Sequence, residues 1–153
     1  MLEIKPESAF GRGYEVLVDG VTVAHWSSRL WRSGGQVELA GETFEFRSGG
    51  WGRSFEMLAG GTVRAEAHRS GVRWLVTGEG GAYELGRPSF LRGKRQLVAG
   101  ERVLGEFQSR GLRGGVTADL GEVPVPLQVF VGLVVLTLQR RQRTAVAASS
   151  SSG

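Results

Sequence analysis

The sequence predicts an all-β fold: a closed antiparallel barrel of about twelve strands enclosing one hydrophobic C-terminal α-helix. Three observations carry this expectation. Short segments alternate apolar and polar residues with period two, the spacing of a strand with one buried face. Glycine supplies 25 of the 153 residues, far above the usual ~7%, and is spread along the chain as turn punctuation. Only one stretch, 124–141, reads as a helix, and it is apolar on every side, so something must surround it.

The elements follow in order. Residues 2–5 form an opening strand closed by Pro6. Tyr14, Val16 and Val18 share one face of the second strand, and Asp19-Gly20 offers the two positive-φ positions of a type I′ hairpin. The return strand sets Val21, Val23 and His25 against Thr22, Ala24 and Trp26. A longer loop, 27–35, holds Arg29, Trp31 and Arg32. Strands then fall at 36–40, 43–47, 53–58, 62–68, 72–77, 82–86, 90–99, 102–108 and 116–120. Turn signals every 8–12 residues match an all-β barrel or sandwich.

Closure follows from edges and width. An open sheet of about twelve strands leaves two edges free to recruit other chains, and rolling it shut removes them. A barrel that wide is not filled by its own side chains, because ~8 strands already give a just-filled interior. The apolar rod 125–138 is the natural filler. Pro124 and Pro126 sit at its first turn, where a missing N–H costs little. Gly132 lets it approach a wall, and Gln139-Arg140-Arg141 falls at its C-terminal end. Its apolar run is shorter than the ~20 residues of a membrane span, and it contains Gln128 and Thr137. A core helix over about 125–141 is therefore expected. The domain is expected to span 1–143, with a disordered Ala/Ser-rich tail at 144–153.

The chain has no cysteine, which removes disulfides and thiolate metal sites. Its start lacks the charged and apolar regions of a signal peptide, so a cytoplasmic location is expected, and the basic and Trp-bearing loops add the expectation of a peripheral position at the inner membrane. Net charge is +4, and Lys5 and Lys94 are the only lysines. Acids alternate with arginines along the strands (Glu45/Arg47, Arg64/Glu66, Arg102/Glu106), as on a solvated outer wall.

About twelve strands followed by the closing pattern Pro126-Leu127, Phe130 and Arg140-Arg141 resembles the tubby C-terminal-like superfamily. That superfamily gathers tubby domains, phospholipid scramblases and plant LURP-one-related proteins, and this closing pattern looks like the C-terminal segment of its small bacterial members. The resemblance implies a barrel wrapped around a buried helix. It further implies association with membrane lipid, through phosphoinositide head groups in tubby domains and through calcium-linked lipid movement in scramblases. The cysteine cluster and acidic calcium segment of scramblases have no counterpart in this sequence.

No catalytic constellation emerges. His25 and His68 are the only histidines, no Gly-x-Ser-x-Gly elbow precedes a helix, and the carboxylates stand singly. Glycine-rich pieces such as Gly78-Glu-Gly-Gly81 lack the following helix that a phosphate loop requires. Enzymatic activity, a cofactor and a metal are not expected. Two basic clusters remain: Arg92, Lys94 and Arg95, and the aromatic–cationic loop of Trp26, Arg29, Trp31 and Arg32. Arginine forks suit phosphate, and tryptophan favours the interfacial zone of a bilayer. These residues are the candidate site for an anionic phospholipid head group. A protein partner is the alternative, with the tryptophans covering the barrel end and the arginines snorkelling over them. Nucleic acid is not expected, since no known binding module fits.

Overall fold

Twelve strands pair into one antiparallel sheet in the computed structural model, which describes residues 1–8, 13–27, 29–33, 35–78, 80–86, 94–110 and 114–151. They are β1 (Leu2–Pro6), β2 (Gly13–Val18), β3 (Val21–Ser27), β4 (Gln36–Leu39), β5 (Glu42–Gly49) and β6 (Ser54–Ala59). The second half comprises β7 (Thr62–Ser70), β8 (Arg73–Gly78), β9 (Gly81–Gly86), β10 (Arg95–Ala99), β11 (Arg102–Ser109) and β12 (Val116–Ala118). Two helices complete the chain, α1 (Leu30–Ser33) and α2 (Val125–Ser151). The segment 90–93, expected to begin the tenth strand, lies outside the described residues.

Consecutive strands are hydrogen-bonded neighbours from β4 through β12, and β1 inserts between β12 and β2. The register Leu2↔Ala118 and Ile4↔Val116 joins the two ends of the β segment. The sheet order terminates at β3 and β4, which approach each other without a ladder. The barrel is thus nearly closed rather than fully closed. The connection across that seam is α1, a turn of helix where a plain loop was expected. It leaves strand geometry before Gly35 accepts a hydrogen bond from the Phe46 N–H at 3.2 Å.

The hairpin turns show why glycine is so abundant. Asp19 and Gly20 take φ of 51° and 81°, and Gly60 and Gly61 take 56° and 80°. These are the paired left-handed positions of type I′ turns, whose twist matches that of the strands. Ala40-Gly41 forms a third such pair, one residue earlier than the sequence pattern suggests.

α2 fills the barrel. Leu127, Val129, Phe130, Val131, Val134 and Val135 are all fully buried, and Leu133 and Leu136 nearly so. Successive helical positions point in directions about 100° apart, so burial of an unbroken run requires protein on every side. Gly132 is the point of closest approach. A Cβ there would sit 2.7 Å from Leu2 Cδ2 and 3.0 Å from Ile4 Cδ1, which identifies the wall as β1. The buried Gln128 amide donates to the Val123 carbonyl at 2.6 Å, so this polar group is satisfied where the helix begins. No helix among the described residues is long and apolar enough to cross a membrane.

The helix does not end near Arg141, as the sequence suggested, but continues through Ser151. Alanine is the best helix former, and extending a helix already nucleated inside the barrel costs little. The Thr144 hydroxyl donates to the Arg140 carbonyl at 3.0 Å, one turn back.

A candidate functional site at the cation-rich barrel end

The topology sorts the connections into two groups. One end of the barrel carries the hairpin turns at 19–20, 40–41, 60–61, 78–81 and 99–102, together with the entry into α2 at 119–124. The other carries the connections β1–β2, β3–β4, β5–β6, β7–β8, β9–β10 and β11–β12, together with the exit of α2. The helix spans the two. Gln128 is tied to Val123 at the entry, and Arg141 Nη1 donates to the Gly52 carbonyl at 2.7 Å at the exit.

Charge divides along the same axis. Among the described residues, the exit-end connections and the strand termini beside them carry Arg29, Arg32, Arg53, Arg73, Lys94, Arg95, Arg110, Arg140 and Arg141, with Glu7 the only acid. The entry end carries Asp19, Glu42, Glu101, Asp119 and Glu122, against Arg64, Arg102 and the N-terminal ammonium. All three entry-end cations are paired: Arg64 with Glu42 at 2.8 Å, Arg102 with Glu122 at 2.7 Å, and the ammonium with Asp19. The Asp19 carboxylate holds that ammonium above its ordinary pKa. At the exit end, Arg73 meets Glu84 at 2.6 Å, Arg110 meets Glu3, and Lys94 lies 3.9 Å from Glu106. Arg32 and Arg53 have no carboxylate partner among the described residues.

Two exit-end arginines are fixed by aromatic rings. The Arg140 guanidinium lies 5.7 Å from the Tyr14 ring centroid, and that of Arg141 lies 5.2 Å from the Phe55 centroid. Burial against Phe55 pushes the Arg141 pKa below its ordinary value, although a guanidinium stays charged at neutral pH.

The sequence-derived site separates in the structure. Arg95 begins β10 with Lys94 just before it, and Arg29 and Arg32 flank and belong to α1, all at the exit end. Arg92 lies outside the described residues. Trp26 and Trp31 face inward instead, only 3% and 4% exposed. Their rings pack edge-to-face at 5.1 Å, and Trp31 also meets Phe46, Phe55 and Phe130. The Trp31 indole N–H donates to Thr137 Oγ1 at 3.0 Å, which buttons α1 onto α2. These two rings close the barrel interior and offer no face to a ligand from solution. That departs from an interfacial loop, and the reason is packing. A wide barrel mouth beside a thin helix needs bulk, which the aromatic rings supply.

Among the described residues the exposed aromatic of this end is Trp51, which the sequence pattern does not single out. Trp51 is completely exposed, at 103%, in the turn between β5 and β6. Gly50, Trp51 and Gly52 take φ of 58°, 59° and 81° in succession. The left-handed region disfavours a bulky side chain, and such strain costs of order 1–3 kcal/mol where it is held. The turn is held by hydrogen bonds from Gly52 N to Gly49 O at 3.0 Å and from Arg53 N to Gly50 O at 3.2 Å, and by the Arg141 clamp. The signal available in the sequence was a lone tryptophan between glycines, outside any alternating run.

Both histidines lie on the outer wall, His25 beside Glu7 and His68 3.9 Å from Glu66. No group of three or more acidic or histidine side chains able to hold a metal occurs among the described residues. A shallow, open depression of about 380 Å³ lies on the outer wall between β7 and β8, lined by Val63, Arg64, Ala65, Glu66, Thr77, Gly78 and Gly80. It sits toward the entry end and has no connection to the cationic cluster. Compared with protein families, curated proteins and solved structures, the chain matches none.

Proposed function

We propose that this protein is a non-catalytic binding module whose cation-rich end associates with anionic phospholipid head groups at the cytoplasmic membrane face. The segregation of charge along the barrel axis is the observation that carries the reading. A wall cation paired with a carboxylate has almost no net attraction to an anionic surface. Cations gathered at one end give a single attractive orientation. Arginine supplies most of them, and its planar fork binds phosphate oxygens two at a time. The resemblance to tubby-like and scramblase-like domains supports the same ligand class, and kinship with that superfamily belongs to this proposal.

Vesicle flotation tests it. Retention is expected on vesicles containing phosphatidylserine at low salt, with loss of retention as salt screens the contact. Equal retention on neutral and anionic vesicles contradicts the reading. The second reading is a protein-interaction module, supported by the helical extension of α2 beyond the exit arginines, where Gln142, Thr144 and Ala145 are exposed. Unchanged membrane behaviour after Arg92, Lys94 and Arg95 are replaced by Ala, with a stable partner recovered, favours that reading.

A further inference from the structure

We propose that Trp51 is a membrane anchor, entering the interfacial zone of an anionic phospholipid bilayer while Arg53 beside it engages a lipid phosphate. The inference rests on the reading above and adds to it the residue that sets the depth and orientation of the docked state. Trp51 presents its whole ring to solvent at the cationic end, whereas Trp26, Trp31 and Trp74 are 3%, 4% and 5% exposed. An indole prefers the boundary between hydrocarbon and head groups, where its apolar body and its N–H are both accommodated.

The turn that carries it is built rather than loose. Its backbone hydrogen bonds, and the Arg141 contact with Gly52, fix the ring outward in a conformation that a large side chain disfavours. Gly52 is required for that clamp, because a Cβ there would lie 2.7 Å from Arg141 Nη2. Helix and turn are therefore tied together through Arg141. Among the described residues Trp51 is the one fully exposed ring at this end, whereas successive nucleic-acid bases stack on several aromatic side chains in turn. One amphipathic ring beside cations instead fits a surface that is apolar beneath a layer of phosphate.

The full chain provides its own probe, because the other three tryptophans are enclosed and Trp51 dominates quenching by acrylamide. With vesicles of phosphatidylcholine and phosphatidylserine, the Trp51 emission is expected to shift to the blue and its quenching to fall. With phosphatidylcholine alone, neither is expected. Trp51→Ala is expected to weaken partitioning about tenfold, ~1.4 kcal/mol, while leaving the preference for anionic vesicles intact. Trp51→Gly, which suits the backbone conformation, is expected to match Trp51→Ala and so separates anchoring from folding. Binding of the wild type with unchanged quenching, or partitioning by both variants equal to that of the wild type, overturns the anchor while leaving the charged-end reading standing. Absence of wild-type binding to anionic vesicles overturns both. Protection of Trp51 by an oligonucleotide and not by vesicles likewise overturns the anchor.

Discussion

Trp31 donates its indole N–H to Thr137, and Thr137 in turn donates to the Leu133 carbonyl at 2.8 Å. Replacing Thr137 by Val keeps the shape and strands the indole N–H, so stability is expected to fall by about 1–3 kcal/mol in chemical denaturation. A null effect would show that the contact is dispensable. This pair also shows where residue-level reading stops. Trp31 stands between Arg29 and Arg32 in a segment without alternation, and its partner lies 106 residues away. The surface residues Lys94 and Arg95 could be located from local pattern alone, but the inward turn of Trp26 and Trp31 depends on what fills the mouth. At the opposite end, the Asp19 carboxylate raises the pKa of the N-terminal ammonium above 8.0. The folded value exceeds the unfolded one, so the stabilisation is full below about pH 8 and is lost as pH rises through the folded pKa. The pair is exposed, so the effect is small. Asp19→Asn is expected to remove the upward shift in an NMR titration of the amine.

At the scale of elements, the twelve strands were legible because each hides alternate side chains, and the rod was legible because its burial pattern has no polar side. Three irregularities were not. The register shifts at Val16/Leu17, Met57/Leu58 and Leu97/Val98, and at the first two bulges consecutive side chains leave the water together. Such bulges depend on the partner strand, which local sequence does not specify. Two glycines make the rod's placement testable. A Cβ on Gly105 would lie 2.3 Å from the Asp119 carbonyl oxygen, where the chain turns inward after β12 to begin α2. Backbone cannot retreat as a side chain can, so Gly105→Ala is expected to destabilise at the upper end of the ~1–3 kcal/mol range for overpacking. Gly132→Ala, which meets only the ends of Leu2 and Ile4 and gains ~1 kcal/mol of helix propensity, is expected to cost less. Equal losses in thermal unfolding would count against this account of the two close approaches. Truncating the fully buried Phe130 to Ala is expected to cost about 3–5 kcal/mol in the same measurement.

For the whole molecule, barrel, plug and charge form one arrangement. The wall needs the helix to fill it, the helix delivers Arg140 and Arg141 to one rim, and the hairpin topology leaves acids at the other. The strand pattern predicts the barrel, but the sorting of charge between its ends emerges only from strand direction, which alternates with each turn. The central claim is that position, not net charge, governs attraction to an anionic surface. It is tested most directly by measuring phosphatidylserine-vesicle partitioning for two double variants of identical charge change. One is Arg32→Glu with Arg53→Glu at the exit end; the other is Arg64→Glu with Arg102→Glu at the entry end. Loss of partitioning in the first and retention in the second is the expected result. Equal loss in both would contradict the account.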